Sequence, residues 1–349
     1  MRLVNRRGTV FGTLLVLLVS SPLGAERDSA SAESTVLRQP ASSRHGTVLS
    51  SRPGKASVTI ENRVSRVRLR RNERLTTIAE VADGWAAAGI REGANGSRVI
   101  VVQEAGAGVE RLSSPPGSTG RHRLLPRLLV EPEGLGGVAW LEGERRDRME
   151  VRAAQWTGGG WTPAAVVSAS GPGSQTGLSQ AVLADGSWLL VWSRFDGVDN
   201  EIYWSRWAGN AWSVPQPIEA GDRVPDVTPT LLASGEGALL AWSEYTRDGY
   251  RVRAAAFEGG IWRAVELPLG SGALYPELRR QPQGTYLLYR SALEPGWGVA
   301  ELNSTGGVLR ISKLRATRAD RPILRPSGSA MGFQWFGARP VFGSWERRR

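Results

Sequence analysis

Charged side chains that could hold a polar ligand recur in four short stretches of this chain. Each stretch contains arginine and carboxylates: Glu142 and Arg145; Arg194, Asp196 and Asp199; Glu244, Arg247 and Asp248; and Arg290 with Glu294. Arginine forms two-pronged hydrogen bonds with anionic groups, so such side chains on one surface would bind a polar or anionic ligand. The alternative is that these stretches are exposed turns, which are commonly charged.

Trp297 follows the last charged stretch in the segment Glu294-Pro-Gly-Trp297-Gly. The proline and glycines predict a loop. We expect Trp297 to be exposed there and to be a candidate ligand contact.

The residue types of this chain give little support for a metal site or for cysteine chemistry. The segment Asp196-Gly-Val-Asp199-Asn200-Glu201 is rich in oxygen donors, but a calcium site needs roughly six to eight ligands. The chain has no cysteine, and its two histidines, His45 and His122, are far apart in sequence. We therefore expect no metal site, no cofactor and no histidine-based catalytic triad.

The charged stretches are embedded in a repeat of about 50 residues, a length typical of propeller blades. Three segments show the repeat most clearly, and they are Trp156-Thr-Gly-Gly-Gly-Trp161, Trp207-Ala-Gly-Asn-Ala-Trp212 and Phe257-Glu-Gly-Gly-Ile-Trp262. Apolar segments such as Trp188-Leu-Leu-Val-Trp192-Ser193 precede them and predict strands. Glycine and asparagine between the aromatic residues are typical of hairpin turns.

Apolar anchor strands of this kind end near residues 89, 140, 192, 242, 289 and 335, which places them 46 to 52 residues apart. The sequence therefore predicts an all-β, six-bladed β-propeller of four-stranded antiparallel blades. The last unit is short, and we expect an N-terminal strand, at 57–60 or 64–69, to complete it. Seven blades is the alternative if residues 26–73 contain a degenerate blade.

The N-terminus predicts export. Basic residues followed by a short apolar run and small residues indicate a signal peptide over residues 1–25. Residues 26–55, rich in serine, alanine and arginine, predict a flexible linker before a propeller domain over residues 56–349. We expect a periplasmic or extracellular protein without a membrane span, and a monomer.

Positive charge is concentrated at the two ends of the chain. The net charge is +9 over residues 1–72 and +8 over residues 307–349, while the repeat body carries −6. Basic ends can contact acidic polymers, although the simplest interpretation is solvated termini. An exported protein is not expected to bind nucleic acid.

Seven of the 14 tryptophans occupy equivalent positions of the repeat. Trp140, Trp192, Trp242 and Trp335 share one position, and Trp161, Trp212 and Trp262 share another. Recurrence at equivalent sites is expected for packing between blades, so we interpret these residues as structural.

The blades resemble the sialidase-like propellers with BNR repeats of exported bacterial proteins. The likeness lies in Leu189-Leu-Val-Trp-Ser193, in Asn200-Glu-Ile-Tyr-Trp-Ser-Arg-Trp207 and in the turn that ends at Trp212. Sialidases of that family use three arginines, a Tyr–Glu pair and an aspartate. Tyr289 beside Arg290 and Tyr245 beside Glu244 are candidates here, but neither aligns with the family's motifs, and the Asp-box pattern is absent.

We therefore expect a non-catalytic propeller that binds a polysaccharide, a peptide or an envelope protein through its loop-rich face. The first alternative is a divergent sialidase-like glycoside hydrolase or lyase. The second is a structural scaffold of the cell envelope.

Overall fold

The computed structural model describes most of the chain from residue 35 onward. The described residues are 35–37, 47–52, 54–60, 63–82, 84–105, 108–117, 120–168, 173–219, 223–281, 283–293, 296–314, 323–327, 330–335 and 341–345. The predicted signal peptide, residues 1–25, lies outside them. None of the described segments forms a helix that is long and apolar enough to cross a membrane.

The described residues form an all-β structure of antiparallel sheets, each built from strands that are consecutive in sequence. The first two sheets contain β1 (Thr35–Leu37), β2 (Thr47–Arg52), β3 (Lys55–Ile60) and β4 (Arg63–Arg68), then β5 (Glu73–Val81), β6 (Gly84–Gly93), β7 (Gly96–Ala105) and β8 (Gly108–Arg111). The next two contain β9 (His122–Glu131), β10 (Gly134–Arg145), β11 (Arg148–Gln155) and β12 (Ala165–Val166), then β13 (Gln175–Val182), β14 (Trp188–Phe195), β15 (Asn200–Trp207) and β16 (Gln216–Pro217). The last three contain β17 (Asp226–Ser234), β18 (Gly237–Thr246), β19 (Gly249–Glu258) and β20 (Ile261–Val265), then β21 (Ala273–Gln281), β22 (Gly284–Ser291), β23 (Gly296–Leu302) and β24 (Val308–Leu314), and finally β25 (Ile323–Ser327), β26 (Ala330–Trp335) and β27 (Val341–Trp345).

Six of these sheets have four strands, which confirms the prediction of a propeller with four-stranded antiparallel blades. The sheet β25–β27 has three strands and corresponds to the short last unit. The strands β1–β4 form a sheet of their own, as the seven-blade alternative requires, and β1 and β2 lie in the stretch predicted to be a linker. The described pairings of β3 and β4 are within that sheet, so closure of the last unit by an N-terminal strand stays a prediction.

The sheets pack face to face through their second strands. In β14, six consecutive residues from Trp188 to Ser193 are buried, because both faces of the strand are covered by neighbouring sheets. One face contacts β10 and β11 through Trp188, Leu190 and Trp192. The other contacts β18 and β19 through Leu189 and Val191.

The tryptophans have the packing role that the repeat predicts. Trp140, Trp192 and Trp242 are 0% exposed in the cores between sheets. Trp161 and Trp212 are half-buried against the same cores, and each pairs with the aromatic residue at the start of its hairpin. The side chain of Trp335 lies outside the described residues.

The first strands of successive sheets are neighbours, since β5 contacts β9, β9 contacts β13, β13 contacts β17, and β17 contacts β21. They are therefore the innermost strands of the blades. The turns between second and third strands leave the sheets at the same edge as the connections from one sheet to the next. We call this side of the molecule the loop face.

Near the loop face, four inner strands contain a β-bulge at one repeat position. Leu125, Gly177, Thr228 and Tyr275 have φ angles of 48°, 59°, 55° and 53°, beside a shift in strand register. Positive φ costs little for glycine but is strained for the other three residue types. A bulge bends the inner strand and redirects its side chains where the strand reaches the loop face.

In two sheets, the serine after the anchor tryptophan links the sheet to the bulge region of the sheet that follows. Ser193 Oγ donates to the carbonyl of Asp226 at 2.7 Å. Ser243 Oγ accepts from the Tyr275 N–H at 2.8 Å and lies 2.9 Å from Thr228 Oγ1. Because Ser243 is 0% exposed, water cannot replace it as a partner.

Replacing Ser243 with alanine should lower the free energy of unfolding by about 1–3 kcal/mol, because the Tyr275 N–H loses the acceptor that the buried Ser243 hydroxyl provides. Urea denaturation measures the change. Ser271→Ala removes a hydroxyl from an exposed position before β21 and should stay within about 0.5 kcal/mol of wild type. Equal losses in the two variants would contradict the proposed link.

Candidate functional site

Four blades carry a row of charged or polar residues where their second strand approaches the loop face. Cross-strand neighbours in these rows are Glu73, Arg91 and Arg98; Arg123, Glu142 and Glu150; Gln175, Arg194 and Glu201; and Asp226, Glu244 and Arg251. In three rows the central acid or arginine lies two residues after an anchor tryptophan. Residues i and i+2 of a strand share a face, so the charges point into the interface between sheets. We call these four rows the ion-pair layer.

Glu142 illustrates the layer. Its carboxylate is 0% exposed and accepts from Arg123 Nε at 2.6 Å and from Trp140 Nε1 at 3.0 Å. Arg152 Nε lies 3.6 Å from the other carboxylate oxygen. Arg123 also donates to the carbonyl of Ser97 in the preceding sheet at 2.6 Å, so the pair connects two blades.

Glu244 repeats this arrangement two sheets later. It is 0% exposed and is paired with Arg251 and, at 3.3 Å, with Arg253. Arg253 in turn donates to both carboxylate oxygens of Glu219, at 2.6 and 2.7 Å. The prediction that Glu142 and Glu244 are exposed loop residues is therefore wrong, because both end a buried strand and are held by arginine.

Glu73 is the most completely bonded acid of the layer. It accepts from Arg91 Nε at 2.9 Å, from Arg111 in two bonds of 3.0 and 2.8 Å, and from the Arg70 N–H at 2.9 Å. Burial alone would raise the pKa of this carboxyl, but the hydrogen bonds from Arg70, Arg111 and Arg91 outweigh burial and hold the pKa below its usual range.

Arg194, Asp196 and Asp199 lie at one turn of the loop face. The guanidinium of Arg194 lies 5.0 Å from the centroid of the Tyr203 ring. Asp196 closes the turn, because Val198 N–H and Asp199 N–H donate to its Oδ1 at 2.8 and 3.2 Å, and these bonds hold the pKa of Asp196 below its usual range. Asp199 is 7% exposed. The Asp196 side chain thus serves local structure.

The other predicted residues are spread over the loop face. Arg145 is exposed and paired with Asp147 at 2.9 Å, and Arg247 and Asp248 are exposed at the turn between β18 and β19. Arg290 is exposed near the end of β22, and Glu294 lies outside the described residues. Trp297 is in strand β23 and only 8% exposed, so the prediction of an exposed loop tryptophan is wrong. Trp297 pairs with Arg290 across β22 and β23. The blade therefore continues into the segment whose glycines had predicted a loop.

Three tyrosines meet on the loop face between the sheets β17–β20 and β21–β24. The Tyr245 and Tyr250 rings lie 4.8 Å apart, and Tyr245 and Tyr275 are each 41% exposed. Burial raises the pKa of the Tyr250 hydroxyl, and the neighbouring Tyr275 and Tyr245 raise it further. We call Tyr245, Tyr250 and Tyr275 the tyrosine cluster.

The sequence identified only part of this cluster. Tyr245 was a candidate, whereas Tyr250 and Tyr275 were not recognised. The available signal was the repeat itself, because Tyr275 occupies the bulge position that Leu125 and Thr228 occupy in other blades. The other candidate, Tyr289, is 6% exposed, and burial raises the pKa of its hydroxyl.

The described residues contain no group of three or more histidines, aspartates and glutamates placed to hold a metal ion. His122 is half-buried at the start of β9, and His45 lies outside the described residues.

Comparison with known proteins shows a likeness in fold. No protein-family profile matches the chain, and no curated protein matches it in sequence, so the resemblance to sialidase-like propellers remains a prediction. Among solved structures, an ulvan lyase bound to a unit of glucuronic acid and sulfated rhamnose matches with a TM-score of 0.55 and 9% identity, over 86% of this chain and 89% of that chain.

A second polysaccharide lyase matches with a TM-score of 0.51 and 10% identity, over 85% of this chain and 87% of that chain. A puromycin-hydrolyzing peptidase of Mycobacterium tuberculosis matches with a TM-score of 0.50 and 13% identity over 87% of this chain. The match spans half the length of the peptidase. At these identities the matches establish the β-propeller fold alone.

The ion-pair layer makes a prediction about pH. A carboxyl with a lowered pKa adds stability that is present above its unfolded-state pKa and is lost as the pH falls through its folded-state pKa. Glu73→Gln should therefore lower the free energy of unfolding by about 3 kcal/mol at neutral pH, and the deficit should shrink in acid. Urea denaturation across a pH series measures the change.

Glu258→Gln, at an exposed position near the end of β19, is the matched control and should change stability by no more than about 0.5 kcal/mol at any pH. A deficit for Glu73→Gln that stays constant with pH would refute the ionic role of Glu73.

Proposed function

We propose that this protein is a carbohydrate-active propeller that cleaves a uronic-acid polysaccharide by β-elimination on its loop face. The observation that carries the proposal is the tyrosine cluster, which combines two exposed tyrosines, Tyr245 and Tyr275, with the half-buried Tyr250. Further support comes from the two polysaccharide lyases among the structural matches, one of them bound to a saccharide that contains glucuronic acid. The predicted export signal is consistent with a polysaccharide substrate outside the cytoplasm.

Elimination requires a base and an acid. The base removes the proton from the carbon next to the uronate carboxylate. The bond from the neighbouring carbon to the glycosidic oxygen then breaks, a carbon–carbon double bond forms, and the departing oxygen takes up a proton. Tyrosine can serve in both roles. We assign the base to Tyr275 or Tyr245, which are exposed, and the proton donor to Tyr250, whose raised pKa keeps its hydroxyl protonated.

Elimination also requires a cation that stabilises the negative charge on the uronate carboxylate. Arg247 is exposed two residues after Tyr245, and Arg290 is exposed on the next sheet. Arginine matches a carboxylate in geometry and stays charged, so these two residues are the candidates for holding the substrate carboxylate.

Hydrolysis has weaker support from the same surface. A glycoside hydrolase uses two carboxyl groups that flank the bond to be cleaved. Glu142 and Glu244 are buried and paired with arginine, Asp196 caps a turn, and Asp147 pairs with Arg145. These four acids are therefore held in structural roles.

The test is turnover of a panel of uronic-acid polysaccharides by the purified chain, followed through the ultraviolet absorbance of the unsaturated product. Tyr275→Phe and Tyr245→Phe each remove a hydroxyl group from the cluster, and at least one should lower kcat about 100-fold or more. Tyr203→Phe, below Arg194 on another blade, should keep wild-type turnover. New reducing ends without the ultraviolet signal would indicate hydrolysis and overturn the assignment of elimination.

A second candidate function is binding without catalysis. The packed Tyr245–Tyr250 pair favours it, because two rings 4.8 Å apart beside exposed arginines form a surface on which a sugar ring could stack. In that case the panel gives no product, and a glycan array detects a ligand that Tyr245→Ala no longer binds. Binding that survives Tyr245→Ala would exclude the tyrosine cluster as the binding surface.

A further inference from the structure

A row of exposed arginines connects the first described sheet to the second. Arg66, Arg68, Arg70, Arg71 and Arg74 fall within nine residues of sequence, and all five are exposed. Among the described residues, none of their guanidinium groups has an ion-pair partner in the structure. We call these residues the arginine track.

The track crosses the loop face from the rim towards the centre. Arg66 and Arg68 lie on β4, the edge strand farthest from β1 in the first sheet. Arg70 and Arg71 lie on the connection between sheets, and Arg74 lies near the start of the inner strand β5. Alternate residues of a strand are about 7 Å apart, so the track begins with regularly spaced charges.

Glu73 fixes the shape of the track. Its carboxylate accepts from the Arg70 N–H, and its own N–H donates to the Arg70 carbonyl at 3.0 Å, which closes the turn that carries Arg70 and Arg71. The carboxylate of Glu73 forms ion pairs with Arg91 and Arg111, neither of which belongs to the track. Glu73 therefore orders the turn, while the five arginines of the track stay directed to solvent.

The sheet that carries the first half of the track is packed firmly against the second. Val67 and Leu69 alternate with the exposed arginines, and both are buried against Leu75 and Trp85. The alternation places apolar side chains in the core and guanidinium groups on the surface. The track is thus held on a rigid support, which reduces the entropy lost when a ligand binds.

We propose that the arginine track binds an anionic polysaccharide and holds the chain along the loop face. Guanidinium groups pair with carboxylates and sulfates in two-pronged bonds. A single row of charges fits a linear polymer, whereas a membrane surface is contacted by a broad patch. The inference rests in part on the proposed function, because it extends the substrate-binding surface beyond the tyrosine cluster.

Heparin, which carries uronate and sulfate groups, is the probe, and neutral dextran is the reference. The triple variant Arg66→Gln, Arg68→Gln and Arg71→Gln should bind heparin roughly tenfold more weakly at low salt. Its affinity should also depend less on salt, because fewer charges are screened. The matched control Arg146→Gln, Arg148→Gln and Arg263→Gln removes three exposed arginines outside the track, two of them at the β10–β11 turn of the loop face, and should keep wild-type affinity.

Three results would overturn the proposal: equal losses in the two triple variants, equally tight binding of dextran, or binding of phosphatidylglycerol vesicles that heparin cannot displace. Thermal melting of both variants shows whether the fold is retained. Whichever of Tyr245→Phe and Tyr275→Phe lowers turnover separates the two proposals, since that variant should still bind heparin through the intact track. If the chain binds heparin through the track but turns over no polysaccharide, the proposed elimination is refuted and the binding role of the track stands. If the chain turns over a polysaccharide and the triple track variant still binds heparin as tightly as wild type, the binding role of the track is refuted and the proposed elimination stands.

Discussion

The fold of the loop face depends on burying charge between blades. Four successive sheets carry an acid or an arginine near the end of their second strand, and three of these sheets contain a fully buried glutamate in the ion-pair layer: Glu142 and Glu244 on second strands and Glu73 at the start of a first strand. A buried carboxylate without partners is very costly, so each of these glutamates requires the arginines around it to keep their positions. The requirement runs across sheets as well as within them, as the Arg123 bond to Ser97 illustrates. The layer therefore fixes the sheets relative to one another at the edge where the turns emerge.

The propeller blades were predictable because they repeat. The repeat shows three features: anchor strands that are apolar on both faces, glycine turns, and tryptophans at equal spacing. Packed blades joined by hairpin turns explain all three, and the structure contains such blades. The site was harder to predict, because the same residue types serve two purposes. Glu142 and Asp196 looked like loop residues able to bind a ligand, yet Glu142 lies two residues after Trp140 on the same face of the strand and is buried with it. The spacing Trp-x-Glu could have predicted that Glu142 is buried on the same face of the strand as Trp140.

Tyr250 and Tyr275 show the limit of reading one blade at a time. Tyr245 and Tyr250 pair across the hairpin of β18 and β19, and Tyr275 joins them only because the adjacent sheet brings its inner strand beside that turn. Trp297 shows the opposite error, since proline and glycine nearby suggested a loop where pairing with Arg290 continues the strand. Local composition identified turns correctly when the repeat supported them and failed where it did not.

The bulge of the inner strands has a consequence for how such a surface could diversify. Leucine, glycine, threonine and tyrosine all occupy the same backbone position, with φ angles within a range of 11°. This position therefore accepts very different side chains with nearly the same backbone conformation. Four of the described sheets contain this bulge, so exchanging the residue at that position offers a short mutational route to new chemistry on an unchanged fold.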